Sequence, residues 1–151
     1  MKKSDAKVLS LLRENGRIQL TKLSRKTGLP VSTLHERIRQ HIKKEEIRPT
    51  VLLDFPKMGY SCRAHMLFGV PASEKAEFIS HLSSVRNVNS LWRINNGWTV
   101  AVEGVFKDMF SLEEFVEGLE SRFTINRKEV CYVLDEIKRE GFMSDPLLVG
   151  N

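Results

Sequence analysis

The stretch 31-VSTLHERIRQHIKK-44 decides the fold of the first third of the chain. Leu34, Ile38 and Ile42 recur every four residues, so they are expected on one face of a helix, where they form a narrow apolar stripe. At about 100° per residue, the opposite face carries side chains that suit base edges and phosphates. These are Ser32, Thr33, Glu36, Arg39, Gln40 and Lys43, with His35 and Arg37 on the flanks.

Two further helices are predicted before this one. The first runs from Asp5 to Glu14, with Ser4 as its expected N-cap and Asn15-Gly16 suited to a left-handed helix end. The second lies in 20-LTKLSRKTG-28 and ends at Gly28. Two short helices joined by a Gly-containing turn, with a cationic outer face on the second, are typical of a DNA-binding helix-turn-helix.

The residues after the third helix predict a wing. Ile47 to Leu53 has β character and, with Pro49, is expected to form a small hairpin. An alternative interpretation of the whole segment is a helical bundle with a solvated basic face.

The charge of the chain is uneven. Its 151 residues carry a formal charge of +5. Residues 1–60 hold 14 Lys and Arg against 6 Asp and Glu, which gives +8, while residues 61–151 hold 10 against 13, which gives −3. A basic module followed by a mildly acidic one favours nucleic acid as the partner of the first half.

Composition excludes several classes of protein. The apolar content of 41% is that of a folded chain, and no run of about 18 apolar residues predicts a membrane span. Cys62 and Cys131 are too few for a disulfide framework and lack the spacing of a zinc site. We therefore expect a cytoplasmic protein with no membrane partner, no metal and no cofactor.

The second half alternates strands and helices. A strand over 62–70 is predicted to bury Cys62, Ala64, Met66, Phe68 and Val70. A helix from Ser73 to Leu82 follows, with Ala76, Ile79 and Leu82 inward.

A hairpin and a last helix and strand complete this half. Strands are predicted for Val88 to Ile94 and Trp98 to Phe106, joined by the turn Asn95-Asn96-Gly97. The capping box Ser111 to Glu114 opens the last helix, and a strand from Glu129 to Ile137 ends the order βαββαβ. The inner face of that helix is predicted to hold Leu112, Phe115, Val116, Leu119 and Phe123.

The fold class is therefore α+β, a winged helix-turn-helix followed by a ferredoxin-like four-stranded antiparallel sheet with both helices on one face. Apolar residues on the other sheet face predict a homodimer through the sheets. Cys62 and Cys131 are expected at opposite ends of neighbouring strands, too far apart to form a disulfide. The predicted domains are 1–53 for DNA binding, 54–60 as a linker, 61–138 for dimerisation and effector binding, and 139–151 as a tail.

The chain resembles the Lrp/AsnC (feast/famine) transcription regulators. The motifs are 4-SDAKVLSLLRENGR-17, 23-LSRKTGLPVSTLHERIR-39 and 53-LDFPKMGY-60, ahead of the βαββαβ module. The resemblance covers nearly the whole chain and is most specific from Gly28 to Arg39. It implies a sequence-specific regulator of double-stranded DNA that forms dimers, often assembled into octamers, whose C-terminal domain binds small effectors, commonly amino acids.

The chain departs from the family pattern around the third helix. Pro30 stands where the family often has a capping Ser, so the cap is expected at Ser32 or the turn is rebuilt around the proline. The run 44-KEEI-47 replaces the usual terminal Gly. His41 occupies a usual Leu position, and we interpret it as a half-buried structural histidine.

The effector loop departs furthest from the family pattern. Asn95, Asn96, Gly97, Trp98 and Thr99 are the candidate effector-binding residues by resemblance. Thr99 stands at the position of an Asp, so a carboxylate that would meet an amino group is missing. Trp98, like Trp92, is also interpreted as a residue of the interface between sheets.

Two alternative functions remain open at this point. Siroheme decarboxylases resemble the same two-module architecture and need His and Arg around the second-module hairpin. Arg93 is present there, but the last histidine is His81, on a helix. The other alternative is an assembly partner that joins related regulators through its sheet.

Overall fold

The computed structural model describes residues 3–145 and divides them into two units. The first unit contains residues 3–52 together with 137–145, and the second contains residues 53–136. The segment 137–145 is thus grouped with the first unit, whereas its residues were predicted to divide between the second domain and a tail. The remaining tail residues, 146–151, lie outside the described part of the chain.

Three helices build the first unit: α1 (Lys3–Glu14), α2 (Leu20–Thr27) and α3 (Val31–Lys43). Gly28 ends α2 in the left-handed conformation, with φ 73°, as its position predicted. The core between the helices consists of Val8, Leu11, Leu23 and Leu34.

Two predicted features of α1 are wrong. The helix already includes Lys3, so Ser4 is not its N-cap. Gly16 is absent from the residues with positive φ. The turn forms instead because the side-chain oxygen of Asn15 accepts a hydrogen bond of 2.9 Å from the backbone N–H of Arg17.

The apolar stripe of α3 is shorter than predicted. Leu34 is fully buried and Ile38 half-buried, but Ile42 is 42% exposed. Each step of four residues advances about 40° around the helix, so Ile42 has rotated about 80° away from Leu34. The buried contact of α3 is thereby concentrated on its first two turns.

The predicted hairpin after α3 does not form. Residues 47–54 contain no strand, and the sheet of the described chain uses none of them. Pro49 cannot donate a backbone hydrogen bond, and Val51 and Leu52 are 71% and 58% exposed. Within residues 3–145, the helix-turn-helix is therefore followed by a segment without strands and not by the predicted hairpin.

The second unit has the predicted order βαββαβ. Its elements are β1 (Cys62–Gly69), α4 (Lys75–Ser84), β2 (Val88–Arg93), β3 (Val100–Phe106), α5 (Met109–Arg122) and β4 (Arg127–Tyr132). The strands lie in the order β2-β3-β1-β4, and each neighbouring pair is antiparallel. The alternation of β1 is confirmed, because Cys62, Ala64, Met66, Phe68 and Val70 are all buried.

Helix α4 begins later than predicted, and helix α5 begins earlier. In α4, Phe78 and Leu82 are buried and Ala76 is exposed, because Ala76 lies about 160° around the helix from Phe78. In α5, the N-cap is Asp108, whose carboxylate accepts a 2.8 Å hydrogen bond from the Ser111 backbone N–H. The predicted capping box at Ser111 therefore starts three residues too late, whereas the predicted inner face is buried or half-buried.

Strand β4 is shorter than predicted, and its register places the two cysteines differently from the prediction. It ends at Tyr132, which pairs with Ala64, and one further backbone hydrogen bond of 2.9 Å runs from the Val133 N–H to the Arg63 carbonyl. Cys131 pairs with His65, so it lies toward the same end of the sheet as Cys62, not the opposite end. Cys62 is buried under the helices and Cys131 is exposed, and both are free thiols. The pleat, which points them to opposite faces, keeps them apart.

No helix in residues 3–145 is both long enough and apolar enough to cross a membrane.

Candidate nucleic-acid interface

The outer face of α3 is an exposed polar surface. Leu34 anchors the opposite face with no exposed area. The residues predicted to meet DNA that are exposed are Ser32, His35, Glu36, Arg39, Gln40 and Lys43, while Thr33 is half-buried. One face of the helix therefore holds hydroxyl, amide, carboxylate and cationic groups together.

Glu36 organises two of these side chains along the helix. Its carboxylate accepts a 3.1 Å hydrogen bond from the Gln40 amide and lies 3.3 Å from the Arg39 Nε. The hydrogen bond from Gln40 and the charge of Arg39 hold the pKa of Glu36 below its usual value. Arg39 remains 72% exposed, and so exposed an ion pair exchanges easily for a phosphate contact.

Arg37 does not share this free surface. Its guanidinium Nη1 donates to Ser4 Oγ at 2.8 Å and to Asp5 Oδ1 at 2.6 Å. Only 29% of the Arg37 side chain is exposed. The structure thus turns a predicted DNA contact toward α1.

The turn before α3 is built around Pro30. This residue holds the N-cap position with φ −58° and ψ 146°, and no side chain caps the helix. Ser24 Oγ donates a 2.6 Å hydrogen bond to the Leu29 carbonyl, and Thr27 Oγ1 donates one of 2.8 Å to the Leu23 carbonyl. Because the proline ring fixes φ near the value required, the turn enters α3 with little conformational freedom.

The end of α3 is fastened by His41. Its side chain is 15% exposed, and its Nδ1 lies 2.5 Å from the Glu46 carboxylate. The backbone N–H of Glu46 donates to the His41 carbonyl, while Glu45 takes the left-handed conformation at φ 58°. The histidine thus has the structural role expected of it, and Glu45 occupies a backbone position that glycine adopts at less cost.

A second group of cations was missed by the sequence reasoning. Lys22, Arg25 and Lys26 on α2 are exposed. Their signal was present in 20-LTKLSRKTG-28, where three basic residues fall within five positions of a helix that buries only Leu23. They belong to the same helical unit as the outer face of α3, and cations of this kind position a protein on the phosphate backbone.

The candidate effector loop is a tight hairpin turn. Asn96 and Gly97 have φ values of 61° and 83°, the left-handed pair that the Asn-Gly signal predicted. The Thr99 hydroxyl is buried and accepts from the Val70 backbone N–H at 3.1 Å. The guanidinium of Arg127 lies 3.9 Å above the Trp98 ring. Of the five predicted residues, Asn95, Asn96 and Gly97 are left exposed.

The sheet face away from the helices is more polar at its centre than predicted. Glu103 is 5% exposed there and accepts hydrogen bonds from Arg63, Asn89 and Ser90 at 2.6 to 2.8 Å. Arg63 also pairs with Glu136. Burial alone raises the pKa of Glu103, but these hydrogen bonds and the charge of Arg63 outweigh it, so the pKa lies below its usual value.

A row of apolar side chains lies beside this ion pair. Trp92, Ala101 and Leu67 lie in register across β2, β3 and β1 on the same face. Trp92 is 49% exposed, and the other two are half-buried. The outer face is thus an ionic centre beside an apolar row.

Comparison with known proteins shows what this chain is similar to. Residues 1–40 match the model of the winged helix-turn-helix DNA-binding family. The HTH-type transcriptional regulator FL11 of Pyrococcus horikoshii is 29% identical over 114 residues, 75% of this chain and 76% of its own. A further HTH-type transcriptional regulator, from Pyrococcus abyssi, is 28% identical over 144 residues, 91% of this chain and 93% of its own.

Solved structures share the fold over almost the whole chain. Escherichia coli AsnC matches with a TM-score of 0.81 at 17% identity, covering 92% of this chain and 96% of its own. The chain is thus similar in sequence to HTH-type transcriptional regulators and shares the fold of AsnC. A transcriptional regulator of Neisseria meningitidis, solved as a complex with L-Met, matches with a TM-score of 0.84 at 24% identity, covering 92% and 93% of the two chains.

Among residues 3–145, no group of three or more His, Cys, Asp or Glu side chains is arranged to hold a metal ion.

Proposed function

We propose that this chain is a transcriptional regulator of the Lrp/AsnC type, which binds specific sequences of double-stranded DNA by placing α3 in the major groove. Ser32, Glu36, Arg39 and Gln40 would contact base edges, since amide, carboxylate and guanidinium groups are the common readers of those edges. Lys43 and the α2 cations Lys22, Arg25 and Lys26 would hold phosphates and set the register. The relatives are named as transcriptional regulators, so we propose this role in place of catalysis.

One observation carries the proposal. Leu34 is the sole fully buried residue of α3, and the opposite face of the same turns is exposed. The hydroxyl, amide, carboxylate and cationic groups on that exposed face are those that contact base edges and phosphates in the major groove.

The salt dependence of binding tests the roles of the α3 cations. Each phosphate contact that is lost lowers the slope of log affinity against log salt by about 0.9. We expect Lys43→Ala to weaken binding to all duplexes and to lower this slope by about one. Arg39→Ala is expected to weaken preferred sequences more than random ones, because base contacts discriminate. Fluorescence anisotropy on genomic fragments recovered by selection measures both effects.

The matched control is Lys75→Ala, which removes the same charge from an exposed lysine of α4 in the second unit. It is expected to leave affinity and slope close to those of the original chain. Equal losses from Lys43→Ala and Lys75→Ala would show that net charge, and not α3, holds the DNA. Absence of duplex binding by the unaltered chain would contradict the proposal as a whole.

We also propose that two copies pair through the outer sheet face. The apolar row Trp92, Ala101 and Leu67 is available for burial, and the ion pair at the centre would fix the register of the two sheets. A dimer presents two copies of α3 and suits a two-fold symmetric operator. Further assembly to octamers is what the family resemblance implies, and mixed assembly with related regulators is the alternative.

Light scattering tests this assembly. The purified chain is expected to have twice, or a larger even multiple of, its mass of 17.4 kDa. Trp92→Glu should lower the mass, because it places a charge within the apolar row. Phe110→Glu is the control, since Phe110 is 70% exposed on α5 rather than on this sheet face. A monomer of the unaltered chain, or equal effects of both variants, would contradict the proposed surface.

The hairpin from Asn95 to Thr99 is proposed as the site of a small carboxylate-bearing effector. The support is the Arg127 guanidinium over Trp98 and the likeness to a regulator solved with L-Met. A guanidinium pairs well with a carboxylate. None of the residues from Asn95 to Thr99 carries a carboxylate, so the amino group of an amino acid would find no such partner in this turn. The Thr99 hydroxyl is buried and bonded to Val70.

Tryptophan fluorescence tests this site. In a Trp92→Phe variant the signal comes from Trp98 alone, and L-methionine is expected to change it saturably. The decarboxylated amine of methionine should have no effect, and Arg127→Gln should abolish the response, because both changes remove the carboxylate contact. A response to the amine equal to that to L-methionine, or no response to either, would contradict the site.

A further inference from the structure

Arg37 stands on the DNA-reading helix, yet it is bonded to another helix. Its Nη1 donates to Ser4 Oγ at 2.8 Å and to Asp5 Oδ1 at 2.6 Å, both on α1. Asp5 has 17% and Arg37 29% of the side chain exposed. Among the ion pairs of the described first unit, the Arg37–Asp5 pair is the one that joins α3 to α1.

The apolar core holds α3 through few residues. Leu34 is the one fully buried residue of the helix, Ile38 is half-buried and Ile42 is exposed. Apolar burial is not directional, so one anchoring leucine fixes the position of the helix better than its rotation. A charge-assisted hydrogen bond has a preferred direction and a short distance. Arg37 lies one turn beyond Leu34, at the edge of the buried stripe, where it can resist rotation about the helix axis.

We propose that the contact of Arg37 with Asp5 and Ser4 is a positioning clamp for DNA reading. It sets the rotation of α3 and so directs Glu36, Arg39 and their neighbours toward the bases, while Arg37 itself touches no DNA. This inference rests on the proposed function of α3 as the reading helix. It makes Asp5, an anion on a helix that does no reading, a determinant of sequence specificity.

The charge of Asp5 separates the clamp from the simplest alternative. Without a clamp, removing a negative charge from the DNA-binding unit strengthens attraction to phosphates. With a clamp, Asp5→Asn misdirects α3 and weakens operator binding although the net charge has become more positive. The two accounts therefore predict changes of opposite sign for the same variant.

The experiment compares Asp5→Asn with Glu14→Gln, which removes the same charge from an exposed position at the end of α1. Both variants are measured by fluorescence anisotropy on a duplex recovered by genomic selection and on a scrambled duplex. We expect Asp5→Asn to lose about tenfold in operator affinity, the size of one lost base contact, with scrambled-duplex affinity unchanged or higher. Glu14→Gln is expected to bind both duplexes as well as the unaltered chain or slightly better.

The salt slope provides a second readout that stability alone would not move. Arg37→Gln should lose operator affinity with the slope unchanged, whereas the loss of a phosphate contact would lower it by about 0.9. A swapped variant, Asp5→Arg with Arg37→Asp, restores an ion pair between the helices and should regain most of the operator preference. Thermal melting shows whether Asp5→Asn folds. If it folds poorly, the swapped variant still tests the clamp.

Three results would overturn the clamp. They are an operator affinity of Asp5→Asn equal to that of Glu14→Gln, a lowered salt slope in Arg37→Gln, and a folded swapped variant that reads no better than either single change. If the unaltered chain binds no duplex at all, the proposed function itself has failed. If it binds and the variants behave in one of these three ways, the clamp alone has failed.

Discussion

The burial of Leu34 between α3 and the other two helices is the contact on which the DNA-binding unit depends. It is the one fully buried residue of α3, so the helix is attached along a single narrow line. The same narrowness leaves the opposite face free for DNA. Attachment and exposure are thus two consequences of one apolar residue, and the polar contacts at the edges of α3 supply the orientation that this residue cannot.

Those polar contacts occupy the start, the middle and the end of the helix. Pro30 fixes the entry, Arg37 bonds to α1, and His41 holds Glu46 at the exit. None of these contacts adds to the apolar core. They restrict how the reading face is presented, which is the property that a sequence-specific regulator needs.

The second unit also combines apolar burial with polar contacts, but it places them on opposite faces of the sheet. Its sheet is held under the helices by a large apolar core, and this core follows directly from the alternation in β1. On the other face, the buried Glu103 accepts hydrogen bonds from Arg63, Asn89 and Ser90. A buried ion pair is weak evidence for stability, because the cost of removing two charges from water offsets their attraction.

Periodicity predicted the fold, and contacts between distant residues decided the details. The alternation from Cys62 to Val70 and the Asn96-Gly97 turn are local signals, and both were read correctly. Arg37 was predicted as a DNA contact from its spacing alone, which shows the face it occupies but not that Asp5 lies 2.6 Å away. The prediction of a wing hairpin was wrong for a similar reason, since β character in Ile47 to Leu53 does not by itself provide a partner strand. Thr99 was recognised as a departure from the family, but only the fold shows its hydroxyl bonded to Val70.

The central claim is that α3 reads the major groove, and methylation interference on recovered genomic fragments tests it most directly. Dimethyl sulfate methylates guanine N7 in the major groove and adenine N3 in the minor groove, so one experiment reports on both. The account predicts that N7 methylation blocks binding at discrete guanines, in two half-sites about one helical turn or a multiple of it apart. Interference confined to adenine N3, or none at any position, would contradict it.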